Sequence, residues 1–303
     1  MNDPIITCQN LNHRYAKKQV LNNIDFTLHA GEPIGLVGPN GAGKTTLFNI
    51  LCGYLHPSSG NVSLFGHKPG STKLIGKVSA LPQDAQLDPS FSIGAQLSLY
   101  ARLQGFSTKA AVHEVHRVLE AVDLKQEFNN KPSTLSHGMG KRVAIAQSFI
   151  GKPSLVFLDE PTAGLDPVNT RTIRSIISEQ TADTTFIISS HDLNELGRLC
   201  QQVLMLEKGH MRTTMLDASD STKASQFITL QLETYSVTEV INTLQQLTGV
   251  IAINSPQRNE YIIEYSELKE PKLDAKLLML LAEKNWSYRQ FSRGKTLEEQ
   301  LFF

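Results

Sequence analysis

Apolar residues along the chain follow two periods, and the places where one gives way to the other mark out the elements. Ile34-Gly35-Leu36-Val37 is an unbroken apolar run and predicts a short buried strand. After a Gly-rich gap, Leu47, Ile50, Leu51, Tyr54 and Leu55 recur at helical spacing until Pro57. Leu155-Val156-Phe157-Leu158 and Thr185-Phe186-Ile187-Ile188 are further short runs. A run apolar on both faces suits a central parallel strand covered by helices on each side. Between residues 88 and 134 the period is helical: Ile93, Leu97, Tyr100, Ala101 and Gln104 form one set, and Val112, Val115, Val118, Leu119 and Val122 another.

The pattern changes near residue 217. Asp217-Ala218-Ser219-Asp220-Ser221-Thr222 is short and polar, and we read 218–224 as a linker. Beyond it, Phe227 to Leu232 alternates as a strand, and Val237, Val240, Ile241, Leu244 and Leu247 mark a helix. Val250–Ile253 and Tyr261–Tyr265 form an expected strand pair around a turn at Pro256 to Asn259. A Leu-rich helix over 271–285 and a strand at Trp286 to Phe291 complete the order βαββαβ. That order suits a small α+β, ferredoxin-like domain over 225–303. It holds no phosphate loop or metal cluster, so an accessory role is expected of it.

Composition narrows the function classes. A length of 303 residues fits one large domain or two. Lys+Arg and Asp+Glu both number 29, so neither a nucleic-acid-binding tail nor a polybasic membrane patch is indicated. Cys8, Cys52 and Cys200 lack metal spacing and read as reduced, buried or incidental thiols in a reducing compartment. Met1-Asn2-Asp3-Pro4 has no signal-peptide layout, and the longest apolar run, Leu277 to Ala282, is too short to span a bilayer. If the protein works at a membrane, another chain crosses it.

The Gly-rich gap carries the chemistry. Gly38-Pro39-Asn40-Gly41-Ala42-Gly43-Lys44-Thr45, followed by Thr46, fits G-x-x-x-x-G-K-[ST] between a strand and a helix. Glycines let backbone N–H groups turn toward phosphate oxygens, and the following helix points its positive end at them. Lys44 reaches the β/γ-phosphates as a point charge and the Thr45 hydroxyl is a Mg²⁺ ligand. The strand at 155–158 ends in Asp159-Glu160-Pro161, which places two carboxylates in the crevice where α/β sheets bind ligands. Asp159 is expected in the Mg²⁺ shell, and Glu160 is expected to orient or deprotonate the attacking water. His191 follows the neighbouring strand end, Ser189-Ser190, in position to sense a γ-phosphate.

Together these residues make the chain resemble the nucleotide-binding subunit of ABC transporters over about residues 4 to 217. Tyr15 stands where that family stacks an aromatic on adenine, and Gln83 matches its Q-loop, which adds a Mg²⁺ ligand. Leu135-Ser136-His137-Gly138-Met139 sits at the signature, Ala163-Gly164-Leu165-Asp166 matches the D-loop, and His191 matches the switch histidine. The resemblance implies a RecA-like P-loop NTPase core over 1–217, with antiparallel β and α-helical subdomains. The helical one covers about 88–150 and docks on a separate transmembrane permease. ATP and Mg²⁺ are the implied cofactors, and the cytoplasmic side of the membrane the implied location. The signature departs from the usual LSGGQ at His137 and Met139. It opens a helix, expected here over Lys141 to Ile150. His137 is either tolerated variation or a direct phosphate contact.

In the family Ser136, His137 and Gly138 act on the nucleotide of a second subunit, so a homodimer or heterodimer is expected, with Asp166 in the D-loop. Thr296-Leu297-Glu298-Glu299-Gln300-Leu301-Phe302 resembles the end of drug-resistance-type exporter ATPases. Export is the expected direction. An importer subunit and a soluble, non-transport ABC ATPase are the alternatives.

Overall fold

In the computed structural model, strands β1 (Pro4–Tyr15) and β2 (Lys18–His29) form an antiparallel hairpin that buries Leu11, Leu21, Ile24 and Leu28. The structure describes residues 3–215, 226–233 and 235–295. The expected linker at 218–224 and the tail from Thr296 lie outside the described residues. By its contacts the chain divides into Met1–Leu216 and Asp217–Phe303.

β3 (Ile34–Val37) is buried at every residue and passes through the Gly-rich loop into α1 (Lys44–Leu51). α1 stops at Leu51, earlier than the apolar spacing implies. Gly53 turns the chain at φ +79°, and Tyr54 is left exposed. β4 (Ser59–Leu64) pairs with β1, giving a three-stranded antiparallel sheet in the order β2-β1-β4. β5 (Val78–Leu81) leads into the helical stretch α2 (Ile93–Leu103), α3 (Thr108–Glu120) and α4 (His137–Ser148). Serines cap all three: Ser92, Ser107 and Ser136 each accept a backbone N–H of the first turn.

The chain then alternates β6 (Leu155–Asp159), α5 (Pro167–Gln180), β7 (Thr185–Ser189), α6 (Leu193–Leu199), β8 (Gln202–Glu207) and β9 (His210–Met215). The second sheet runs β5-β6-β7-β3-β8-β9, parallel except for the edge strand β9. β6 and β7 are buried at every residue, as strands covered on both faces must be. One hydrophobic core joins the two sheets. Leu47, Phe48, Ile50 and Leu51 of α1 lie in it with Leu11 and Ile24 from the hairpin and Phe157 from β6. Phe48 meets Phe157 edge to face at 5.5 Å. Each such side chain contributes about 1.5–3 kcal/mol on burial, so the strand–loop–helix segment is held from both sides.

The second unit consists of β10 (Gln226–Leu232), α7 (Val237–Gln245), β11 (Val250–Asn254), β12 (Glu260–Tyr265), α8 (Leu273–Glu283) and β13 (Tyr288–Arg293). Its sheet is antiparallel in the order β11-β12-β10-β13, which is the ferredoxin-like arrangement. Ile228, Leu230, Tyr261 and Ile263 meet Val240, Leu244, Leu273 and Leu277 in a separate core.

Candidate active site

The loop between β3 and α1 is shaped by close backbone approach. A Cβ at Gly38 would stand 2.1 Å from the Leu206 carbonyl oxygen of β8, so only glycine fits. Ala42 N–H donates to Pro39 O at 3.1 Å, and Gly43, at φ +107°, starts α1. The first N–H groups of that helix have no intrahelical acceptor, and with the helix dipole they make an anion site. The Lys44 ammonium donates to Gly38 O at 2.6 Å and to Pro39 O at 3.3 Å, which brings its charge inside the loop.

Opposite stand the carboxylates. β6 and β7 are paired so that Asp159 lies beside Ser189, and the buried Ser189 hydroxyl donates to Asp159 Oδ1. Glu160 N–H donates to Ser189 O at 3.1 Å and to Ser189 Oγ at 3.2 Å. Glu160 itself is in the left-handed region at φ +48°, a conformation costly for a side chain of its length. His191 Nδ1 lies 2.9 Å from Glu160 Oε2, with the imidazole largely exposed and the carboxylate nearly buried.

A cleft of about 340 Å³ joins the two halves. Tyr15, Asn40, Gly41, Gly43, Lys44, Thr45, Thr46, Gln83, Asp159 and Glu160 all line it. Gly38, Pro39 and Ala42 form the loop behind it, and His191 joins through Glu160. The oxygen donors of Thr45, Gln83 and Asp159 face this one space and suit a hard divalent cation such as Mg²⁺.

Ser136 and His137 do not line that cleft. With Gln83 and Lys141 they border a second one, of about 360 Å³. The helix there begins at His137 rather than at Lys141, because the Ser136 hydroxyl caps it by accepting Met139 N–H at 3.2 Å. Gly138 is pressed against Asn169, whose side-chain oxygen would stand 2.4 Å from a Cβ there. His137 Nε2 lies near Gly164. Asp166 caps α5, accepting Val168 and Asn169 N–H, and bonds from Asn169 hold its carboxyl below the usual range. The signature segment and the D-loop are thus one packed unit within the chain.

Four contributors escaped the sequence reading. Lys18 and Val20 line the nucleotide-sized cleft from β2, where no motif marks them. Lys141 donates its ammonium to Gln83 O at 3.0 Å, and burial lowers its pKa against the pull of Asp159, Glu160 and Asp84. The support that Ser189 gives Asp159 follows from strand register, which the sequence does not print.

The comparisons with known proteins agree with this geometry. The family model for ABC transporters matches residues 21–163. Nod factor export ATP-binding protein I of Burkholderia lata is 36% identical over 210 residues, covering 67% of this chain and 68% of that protein. YdbJ of Bacillus subtilis, an uncharacterized ABC transporter ATP-binding protein, is 31% identical over 283 residues, covering 92% of this chain and 89% of its own. Among solved structures, cbiO1 from Clostridium perfringens, part of the cbiONQ transporter complex, matches with a TM-score of 0.65 at 27% identity, covering 80% of this chain and 95% of that one. A dimeric ATP-binding cassette with ADP and Pi shares the fold, with a TM-score of 0.63 at 24% identity over 70% of this chain and 98% of that one. With a phosphate loop facing paired carboxylates across one cleft, and with these relatives along most of its length, the chain belongs to the ABC transporter family as an ATP-binding and ATP-hydrolysing subunit.

Proposed function

We propose that this subunit drives export through a separate membrane-spanning partner, working as one of a pair of ATP-binding subunits on the cytoplasmic face. The observation that carries the catalytic part is the convergence of the Glu160–His191 and Asp159–Ser189 pairs on the phosphate loop. Export is supported by the Nod factor export relative and by the tail at 296–302. Among the described residues no helix is long and apolar enough to cross a membrane.

The roles follow from charge and position. Loop N–H groups and Lys44 compensate the phosphates, while Tyr15, half exposed at the cleft, offers its ring to adenine. Thr45, Gln83 and Asp159 would hold Mg²⁺, which neutralises phosphate charge when bound. Glu160 orients the attacking water and takes its proton, and His191 fixes the carboxylate in that direction. Ser136, although capping its helix, keeps its O–H free to donate to the γ-phosphate of the second subunit. The His137 and Gly138 amides open the same helix and carry its positive end.

The test is Glu160→Gln. ATP binding should persist, turnover should fall at least about a hundredfold, the scale of a lost general base, and ATP should trap a dimer on size exclusion. Near-normal hydrolysis in the variant would remove Glu160 from the mechanism.

A further inference from the structure

α8 buries Leu273, Leu277 and Leu281 in the accessory core, yet its outward side is apolar as well. Ala275, Leu278, Met279 and Ala282 are all exposed, Met279 at 72%. Their spacing, i, i+3, i+4, i+7, aligns them in one stripe along the helix. A solvated helix face carries charge, whereas a continuous apolar stripe marks a surface that is covered in the working assembly.

The order of the stripe says by what. Read in either direction it is small, large, large, small, symmetric about the midpoint between Leu278 and Met279. A twofold axis there lays a second α8 antiparallel. Ala275 then faces Ala282 of the partner subunit, and Leu278 and Met279 fill the middle. Alanines at both ends let the helix axes approach to about 8 Å. The flanking charges agree with that direction. Lys272 and Glu283 are exposed on one flank, at opposite ends of the helix. Antiparallel pairing sets each lysine beside the glutamate of the other copy, because equivalent flanks meet about such an axis.

We propose that α8 is a self-complementary contact through which two copies of this chain pair by their accessory domains. Four side chains fall short of the roughly 1,200 Å² that a stand-alone dimer needs. The contact therefore acts on subunits already brought together, where linkage raises the effective concentration. This rests in part on the pairing of ATP-binding subunits proposed above, so the two are measured separately.

The full-length chain carrying Met279→Cys is oxidised with copper phenanthroline without nucleotide and run on a non-reducing gel. The wild type, with Cys8 and Cys200 buried and Cys52 half-buried, gives the background. The expected product is a disulfide-linked species of twice 33.5 kDa. Arg258→Cys, exposed in the β11–β12 turn, should stay monomeric. Adding Lys272→Glu should slow the cross-link at least about tenfold through repulsion between glutamates, and adding Glu283→Lys as well should restore it. Equal rates at positions 279 and 258, or no rescue by the double reversal, would overturn the proposal. ATP-trapped pairing of the Glu160→Gln chain is scored apart, on size exclusion. If it forms while the cross-link fails, the α8 contact alone is refuted; if the reverse holds, the catalytic reading alone is refuted.

Discussion

Replacing Ser189 by alanine tests what the strand register does for Asp159 as the proposed Mg²⁺ ligand. Asp159 is 9% exposed and Ser189 fully buried, and the serine hydroxyl donates to the carboxylate. A hydrogen bond to a charged acceptor contributes about 1.5–3 kcal/mol, and each 1.4 kcal/mol is a factor of about ten. Removing the donor leaves the Asp159 carboxylate less well oriented. The free Mg²⁺ for half-maximal ATPase activity should therefore rise about 10- to 100-fold, the range for a lost partner of a metal ligand. Glu160 keeps its bond to the Ser189 backbone carbonyl, so turnover at saturating Mg²⁺ should stay within about threefold of wild type. The assay is ATP hydrolysis against buffered free Mg²⁺, with Ser189→Thr restoring a hydroxyl at the same place. A half-saturation point within twofold of wild type would refute the reasoning. So would a fall in saturated turnover as large as that of Glu160→Gln.

Tyr261 buries a hydroxyl with no hydrogen-bond partner among the described residues in the core of the second unit, so Tyr261→Phe should stabilise that unit by about 1 kcal/mol, seen as a higher melting temperature. Burial pushes the Cys8 and Cys200 thiols up to about 12 from an ordinary 9.0. Above pH 9 the unfolded chain releases these protons before the folded one does. Stability should therefore fall as pH rises from 9 toward 12, by up to about 1.4 kcal/mol per pH unit per thiol, and denaturant midpoints of Cys8→Ala and Cys200→Ala chains should show a shallower fall. A chain ended near Ala218 should bind ATP with near-native affinity, because each unit has its own core; aggregation with loss of nucleotide binding in titration would refute that boundary.

Part of this molecule was legible in advance because local chemistry and fold agree there. The phosphate loop needs a strand, glycines and a helix in immediate succession, and the sequence prints all three. The strands ending in Asp159 and Ser189 read as apolar runs because both their faces are buried, and βαββαβ survives in the periodicity of the last part of the chain. The N-terminal hairpin was not legible. Its register shifts between Cys8 and Leu11 and again before His13, and Asn10 and Asn23 have positive φ, so the alternation is broken where it should have been read. Lys18 and Val20 were lost with it. The start of α4 was hidden for a different reason: Gly138 and Gly140 depress helix propensity, and the cap at Ser136 overrides them. Partners brought together by register or by a long side chain, such as Ser189 with Asp159 and Lys141 with Gln83, leave no local trace.

The left-handed backbone at Glu160 sets evolution against itself at one position. Asparagine and glycine relax at φ +48° where glutamate does not, and neither has a carboxylate to give the water. A library of this chain selected only for heat resistance should therefore drift at residue 160 toward those two residues, trading catalysis for stability. If Glu160 serves the attacking water as proposed, selection on ATP hydrolysis holds the glutamate in place against that drift.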